Sequence, residues 1–139
     1  MSAEENKAIL LPALETGDTD PESIQVVFDP AARFPDLAAY GLPPTLQGWK
    51  QFTVLTHTAF TDVHTQVEEI VAEGDTVMVW GIVHANHTRP WRSIPATNKR
   101  ISFRFVTCYH FAQGKVVESR MLMDSLGVLQ QMGAIPSSG

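Results

Sequence analysis

The sequence holds a single cysteine, Cys108, among 139 residues. Disulfides within the chain and cysteine-rich zinc sites are therefore excluded. Cys108 lies in an apolar stretch without an activating neighbour and reads as a small buried hydrophobe rather than a nucleophile. Charge is sparse too: Asp, Glu, Lys and Arg make up 18% of the chain against 44% hydrophobic residues, which leaves apolar surface for a partner subunit to cover. Basic residues are the scarcer sign, and a net charge of -5 repels phosphate backbones and argues against nucleic-acid binding. No basic amphipathic stretch suits a membrane surface, and no apolar run approaches the ~18 residues of a membrane span. The opening Met1-Ser2-Ala3-Glu4-Glu5 lacks the basic region and long apolar stretch of a signal peptide, so a soluble cytoplasmic protein is expected. Glycine-rich phosphate loops, dinucleotide fingerprints and Gly-x-Ser-x-Gly elbows are missing, the last around Ser93, Ser102 and Ser125 alike. None of the five histidines has metal-ligand spacing with a carboxylate. Neither a metal nor a cofactor is expected.

What remains fits one domain over 1–139, without repeats or linkers. Ser2 and Glu5 form a capping-box pair that opens a helix over 3–15. Residues 21–28 read either as helix, with Pro21 in a first turn, or as strand, from Ile24-Gln25-Val26-Val27-Phe28. Pro30, Pro35, Pro43 and Pro44 make 28–44 mostly irregular, and long irregular segments often form lids or binding loops. Trp49, Phe52, Leu55 and Ala59 recur at helical spacing and predict a helix over 47–60. Alternation and Val/Ile enrichment predict strands over 63–72, 76–88, 101–111 and 115–123. Asp124 caps a helix over 125–132, stopped by Gly133.

Helices first, then a four-stranded antiparallel meander, give an α+β cone. Its sheet is curved and mainly antiparallel, with N-terminal helices on one face and a short C-terminal helix. The open end of such a cone is a natural small-molecule pocket. With Gln113-Gly114 as a two-residue turn, Phe103 opposes Asp124 and His110 opposes Val117. His110 and Asp124 then point to opposite faces unless a bulge lies between them. The same register sets Arg104 against Met123 and Arg120 against Thr107, again on opposite faces.

Several segments carry a resemblance. Ala59-Phe60-Thr61-Asp62-Val63-His64 precedes the first long strand, and Glu73-Gly74-Asp75-Thr76-Val77 makes its turn. His87-Thr88 ends the next strand, followed by Ile94-Pro95-Ala96-Thr97-Asn98-Lys99-Arg100. Gly114-Lys115-Val116-Val117-Glu118 and Asp124-x-x-Gly-x-Leu-Gln-Gln-x-Gly close the chain. In order and spacing these segments, over 48–136, resemble the SnoaL-like polyketide cyclases, which have the nuclear-transport-factor-two-like cone. Arg89 stands where that family has a glycine. Asn98 replaces the glycine of its Pro-Thr-Gly turn and tolerates positive φ. The resemblance implies intramolecular aldol ring closure without metal or cofactor. It also implies an aspartate at the end of the last strand as general acid/base, with a histidine from the preceding strand. Asp124 and His110 hold those places.

The residues themselves allow two readings of Asp124. A carboxyl group facing an apolar hollow has a raised pKa, useful for proton transfer. A helix cap alone also accounts for an Asp there, and a helix N-terminus lowers the pKa. His87, near the expected mouth of the cone, is a further acid/base candidate. Trp49, Trp91, Phe103 and Tyr109 are candidates to line the substrate site. Arg104 is a candidate to hold an anionic or enol oxygen. The expected function is a cofactor-free cyclase of lyase or isomerase type, acting on a hydrophobic, oxygenated small molecule. The protein is expected to pair as a homodimer through its open sheet face. A non-catalytic binding or dimerisation module of the same fold is the alternative.

Overall fold

The structure, a computed structural model, describes residues 2–136. Ser2 caps helix α1 (Ala3–Thr16), accepting from the Glu5 N–H while the Glu5 side chain accepts from the Ser2 N–H. A 3-10 turn (Pro21–Val27) leads into strand β1 (Phe28–Arg33), and a second 3-10 turn (Pro35–Tyr40) precedes helix α2 (Leu46–Ala59). Strands β2 (Phe60–Glu73), β3 (Thr76–His87), β4 (Arg100–Ala112) and β5 (Lys115–Met123) form the expected antiparallel meander, closed by helix α3 (Ser125–Gln131). No helix among the described residues is long and apolar enough to cross a membrane.

The sheet has five strands rather than four, in the order β1-β5-β4-β3-β2, because β1 pairs parallel with β5. Residues 28–33 read as irregular from the sequence because of Pro30. At a sheet edge, however, a proline costs no ladder hydrogen bond on its open side. The ambiguous segment 21–28 is a 3-10 turn for most of its length, with proline in its first turn.

Strand alternation sorts the sheet into two faces. Val77 and Val79 are buried under the helices, whereas Met78 and Trp80 lie on the far side. The inner face packs on Leu10 and Ala13 of α1 and on Phe28 and Phe34 around β1. Each buried Leu, Val or Phe side chain among these contributes about 1.5–3 kcal/mol by leaving water. A second cluster, with Phe60, Ile101, Val128 and Met132, holds α3 against the sheet. Curvature comes from two register shifts in β2 and from Gly81, where a Cβ would sit 2.8 Å from the Phe105 ring and 2.7 Å from the Gln66 carbonyl.

The β4–β5 turn has Gln113 at φ 51° and Gly114 at φ 77°, the two positive values a type I′ hairpin needs. One expectation is corrected here. Phe111 pairs with Val116 but His110 pairs with Glu118, so Val117 is an extra residue and every later pairing moves by one. Arg120 opposes Cys108, and the Asp124 N–H donates to the Arg104 carbonyl at 2.9 Å. Arg104, His110, Arg120 and Asp124 therefore all share the outer face.

Candidate active site

At the wide end of the cone, α2, the C-terminal end of α1, α3 and the 88–99 loop enclose a cavity of about 300 Å³ against the inner face of the sheet. Its walls are mainly apolar, with several aromatic rings. Trp49 and Phe52 come from α2, Phe60 from β2, Phe103 from β4 and Trp91 from the loop. Trp91 packs on Phe60 at 5.4 Å and edge-on to Phe52 at 6.3 Å between ring centroids, so contacts within the chain explain its partial burial. Met121 and Met123 complete the floor from β5.

Four ionisable side chains reach this lining: Asp18, Tyr40, His57 and Arg92. Asp18 follows the end of α1 and is fastened to β2. Its Oδ2 accepts from the Thr65 N–H at 2.7 Å and its Oδ1 from the Thr65 hydroxyl at 2.6 Å. His57 projects from the last turn of α2 and is half-buried. Burial pushes its pKa below 6.5, and the nearby Asp18 charge opposes that shift. The ring is therefore mostly neutral at pH 7. Tyr40 is raised above its ordinary value of 10, first by burial, while Arg92 draws it down. The Arg92 guanidinium lies 5.4 Å over the Tyr40 ring, a cation–π distance. The Thr53 and Thr56 hydroxyls are turned onto helical carbonyls at 2.9 and 3.0 Å. The cavity is thus an apolar chamber with few polar groups left to face a guest.

The residues singled out from the sequence divide. Trp49, Trp91 and Phe103 line the cavity. Tyr109 is buried in the main core instead, with its pKa pushed up to about 12 by burial, partly offset by a hydrogen bond with Thr107. Arg104 is on the outer face, paired with Glu68.

Asp124 is exposed and does not line the cavity; its Oδ1 accepts from the Gly127 N–H at 2.9 Å as the cap of α3. Its neighbours Met123 and Ser125 do line the chamber. With Met123 facing in, strand alternation turns the next residue out. This corrects the expectation of an inward carboxylate.

His110 lies on the outer face, with Nδ1 3.2 Å from the Thr76 hydroxyl and Nε2 3.6 Å from Cys108 Sγ. His87 is fully buried behind Phe60 rather than at the mouth. Its Nδ1 accepts from the Thr97 N–H at 3.3 Å and lies 2.9 Å from the Thr97 hydroxyl. A backbone N–H can only donate, so the neutral ring carries its proton on Nε2, which has no partner among the described residues. Burial pushes the His87 pKa down, against the influence of the Arg89 carbonyl. Its evident work is to pin the 88–99 loop, where Asn98 takes the expected positive φ of 56°.

Sequence reasoning passed over Asp18, Tyr40, His57 and Arg92. One signal existed for His57: it follows Thr53 by four residues and Trp49 by eight, on the same helical stripe. Nothing in the sequence links that stripe to Asp18, 39 positions earlier (57 minus 18).

A family profile described as SnoaL-like polyketide cyclase matches residues 10–132. No curated protein sequence matches the chain. Solved structures do. AclR of Streptomyces galilaeus, a proposed hydroxylase, is 23% identical with a TM-score of 0.86, covering 99% of this chain and 87% of its own. TsrD of Streptomyces laurentii is 19% identical with a TM-score of 0.85, over 97% and 99% of the two chains. A SnoaL-like polyketide cyclase of Agrobacterium tumefaciens is 16% identical with a TM-score of 0.75, over 92% and 98%. At these identities the structures establish the fold, and their chemistry remains their own.

Proposed function

The chain belongs to the SnoaL-like polyketide cyclase family, and from that premise we propose that it is an acid–base enzyme. It closes a ring in a hydrophobic, oxygenated small molecule by intramolecular aldol addition, without metal or cofactor. The observation that carries this reading is the apolar cavity of about 300 Å³, lined in part by aromatic rings with a few ionisable groups among them. Ligand pockets run from roughly 300 to 1,000 Å³, so this one suits a compact guest of one or two rings. Dry aromatic walls hold a flexible chain folded on itself, and a positioned base then makes an enolate beside the carbonyl it attacks. Arg92 and Tyr40 supply positive charge and a donor hydroxyl where oxyanion charge develops. Asp124, His110 and His87 are given no step, because none of them reaches the chamber.

We also propose a homodimer through the outer sheet face. There Trp80, Val106 and Leu122 stand side by side on β3, β4 and β5, with Trp80 47% and Leu122 71% exposed. Arg120 and Glu118 on the same face are paired within the chain at 3.9 Å, which leaves the apolar row for a twofold copy to cover.

The direct test is incubation with a short linear poly-β-ketone. A ring-closed product of unchanged mass, or lighter by one water, supports the cyclase. Tight binding with no product would mark the chamber as a binding module.

A further inference from the structure

Resting on the acid–base reading above, we infer that His57 is the catalytic base of the chamber and that the Asp18 carboxylate, locked by Thr65, stabilises its protonated form. The assignment starts from the lining. Of its four ionisable groups only histidine changes charge near neutral pH at its ordinary pKa. Arg92 stays cationic, and Tyr40 is pushed further from neutrality by burial. A base must be unprotonated before it acts, and the half-buried His57 ring meets that condition at pH 7. Once it has taken a proton it needs an anion close by, and Asp18 is the carboxylate in the lining.

The Asp18 carboxylate cannot swing away, because both of its oxygens are held from β2. Among the described residues no hydrogen bond to protein occupies the His57 ring, whereas His84, His87 and His110 are each engaged by a hydroxyl. His57 is therefore the histidine in the lining with ring nitrogens left for a guest. Besides Asp18, the charged or titratable groups of the lining are Tyr40 from the 3-10 turn before α2 and Arg92 from the 88–99 loop.

The proton balance is simple. A ring nitrogen of His57 takes the hydrogen from a carbon next to a carbonyl, and the C–H electron pair becomes the enolate. The enolate carbon forms the new C–C bond at a second carbonyl carbon of the same molecule, and that carbonyl's π pair moves to its oxygen. The His57 imidazolium, stabilised meanwhile by Asp18, returns the proton to the alkoxide. The product is an isomer of the substrate and the enzyme ends unchanged.

Enolisation can be read without the natural substrate. The probe is α-tetralone, a compact bicyclic ketone, and the readout is exchange of its α-hydrogens in D2O followed by proton NMR. The wild-type protein should accelerate exchange. His57→Gln and, as a second variant, His57→Asn should each lose about 10²-fold or more of that acceleration while retaining the wild-type circular dichroism. Asp18→Asn should slow exchange and move the acid limb of the pH–rate profile to lower pH, because the nearby negative charge that favours the imidazolium is gone. NMR titration of labelled histidine should show the same downward move of His57 itself, which a merely structural Asp18 would not cause. Asp124→Asn should leave exchange unaltered.

Wild-type exchange that survives both His57 substitutions overturns the assignment and leaves the acid–base reading standing. A wild type that binds α-tetralone without accelerating exchange overturns that reading, and the assignment with it. A His57 titration unmoved by Asp18→Asn removes Asp18 from the pair.

Discussion

Both carboxylate oxygens of Asp18 are held by one residue, Thr65, through its backbone N–H at 2.7 Å and its hydroxyl at 2.6 Å. The contact joins the end of α1 to β2 across 47 residues of chain, at the edge of the chamber. Thr65→Val keeps the shape and removes the hydroxyl. Hydrogen bonds to charged groups contribute about 1.5–3 kcal/mol when well placed. This one is only part-buried, so a loss near about 1.5 kcal/mol is expected in urea unfolding. An unchanged midpoint would mean that the backbone bond alone secures the carboxylate.

Asn6 presents the opposite situation. It is 1% exposed on the packed face of α1, and neither its Nδ2 nor its Oδ1 has a partner among the described residues. An unsatisfied buried polar group costs about 1–3 kcal/mol. Leucine has the same number of side-chain heavy atoms and a better helix propensity. Asn6→Leu should therefore raise the melting temperature. A lower one would show that Asn6 is satisfied in solution, for instance by an enclosed water.

Acid should weaken the fold through its histidines. Burial depresses the pKa of both His57 and His87 below 6.5. The unfolded chain then binds the extra protons first, so this stability is fully present above about pH 6.5 and is lost as pH falls toward the folded-state values. Each group contributes a slope of at most about 1.4 kcal/mol per pH unit, with His57 well below that limit because it is half exposed. Urea unfolding between about pH 7.5 and 5 should show the decline, and His87→Gln should flatten it. Equal slopes in the two proteins would clear His87 of the effect.

The outer face predicts its own variant. Trp80→Glu puts a charge at the β3 end of the row shared with Val106 and Leu122. Light scattering should show a dimer for the wild type and a monomer for the variant, with the circular dichroism preserved. A wild type that is monomeric at high concentration defeats the dimer outright.

Element positions were largely legible in the sequence, because they rest on local chemistry. The Ser2–Glu5 capping box, the type I′ turn at Gln113-Gly114 and the Asp124 cap each involve residues no more than three apart, and each stands where local rules put it. Strand β1 escaped because its pairing partner, β5, is supplied from the far end of the chain. The candidate site was read less well. Trp49, Trp91 and Phe103 were found as aromatic surface, whereas Asp124 and His110 were expected to serve a chamber that neither reaches.

Composition and pattern by themselves determined a chain with α+β order, an apolar sheet and no disulfide within the chain. Which side chains share the chamber was decided only by the tertiary structure, for a definite reason. Strand side chains alternate with a period of two, so the single extra residue Val117 reassigns the partner of everything from Glu118 onward. Asp18 and His57 are likewise brought together by helices packing on a curved sheet, a relation that no local window of sequence contains.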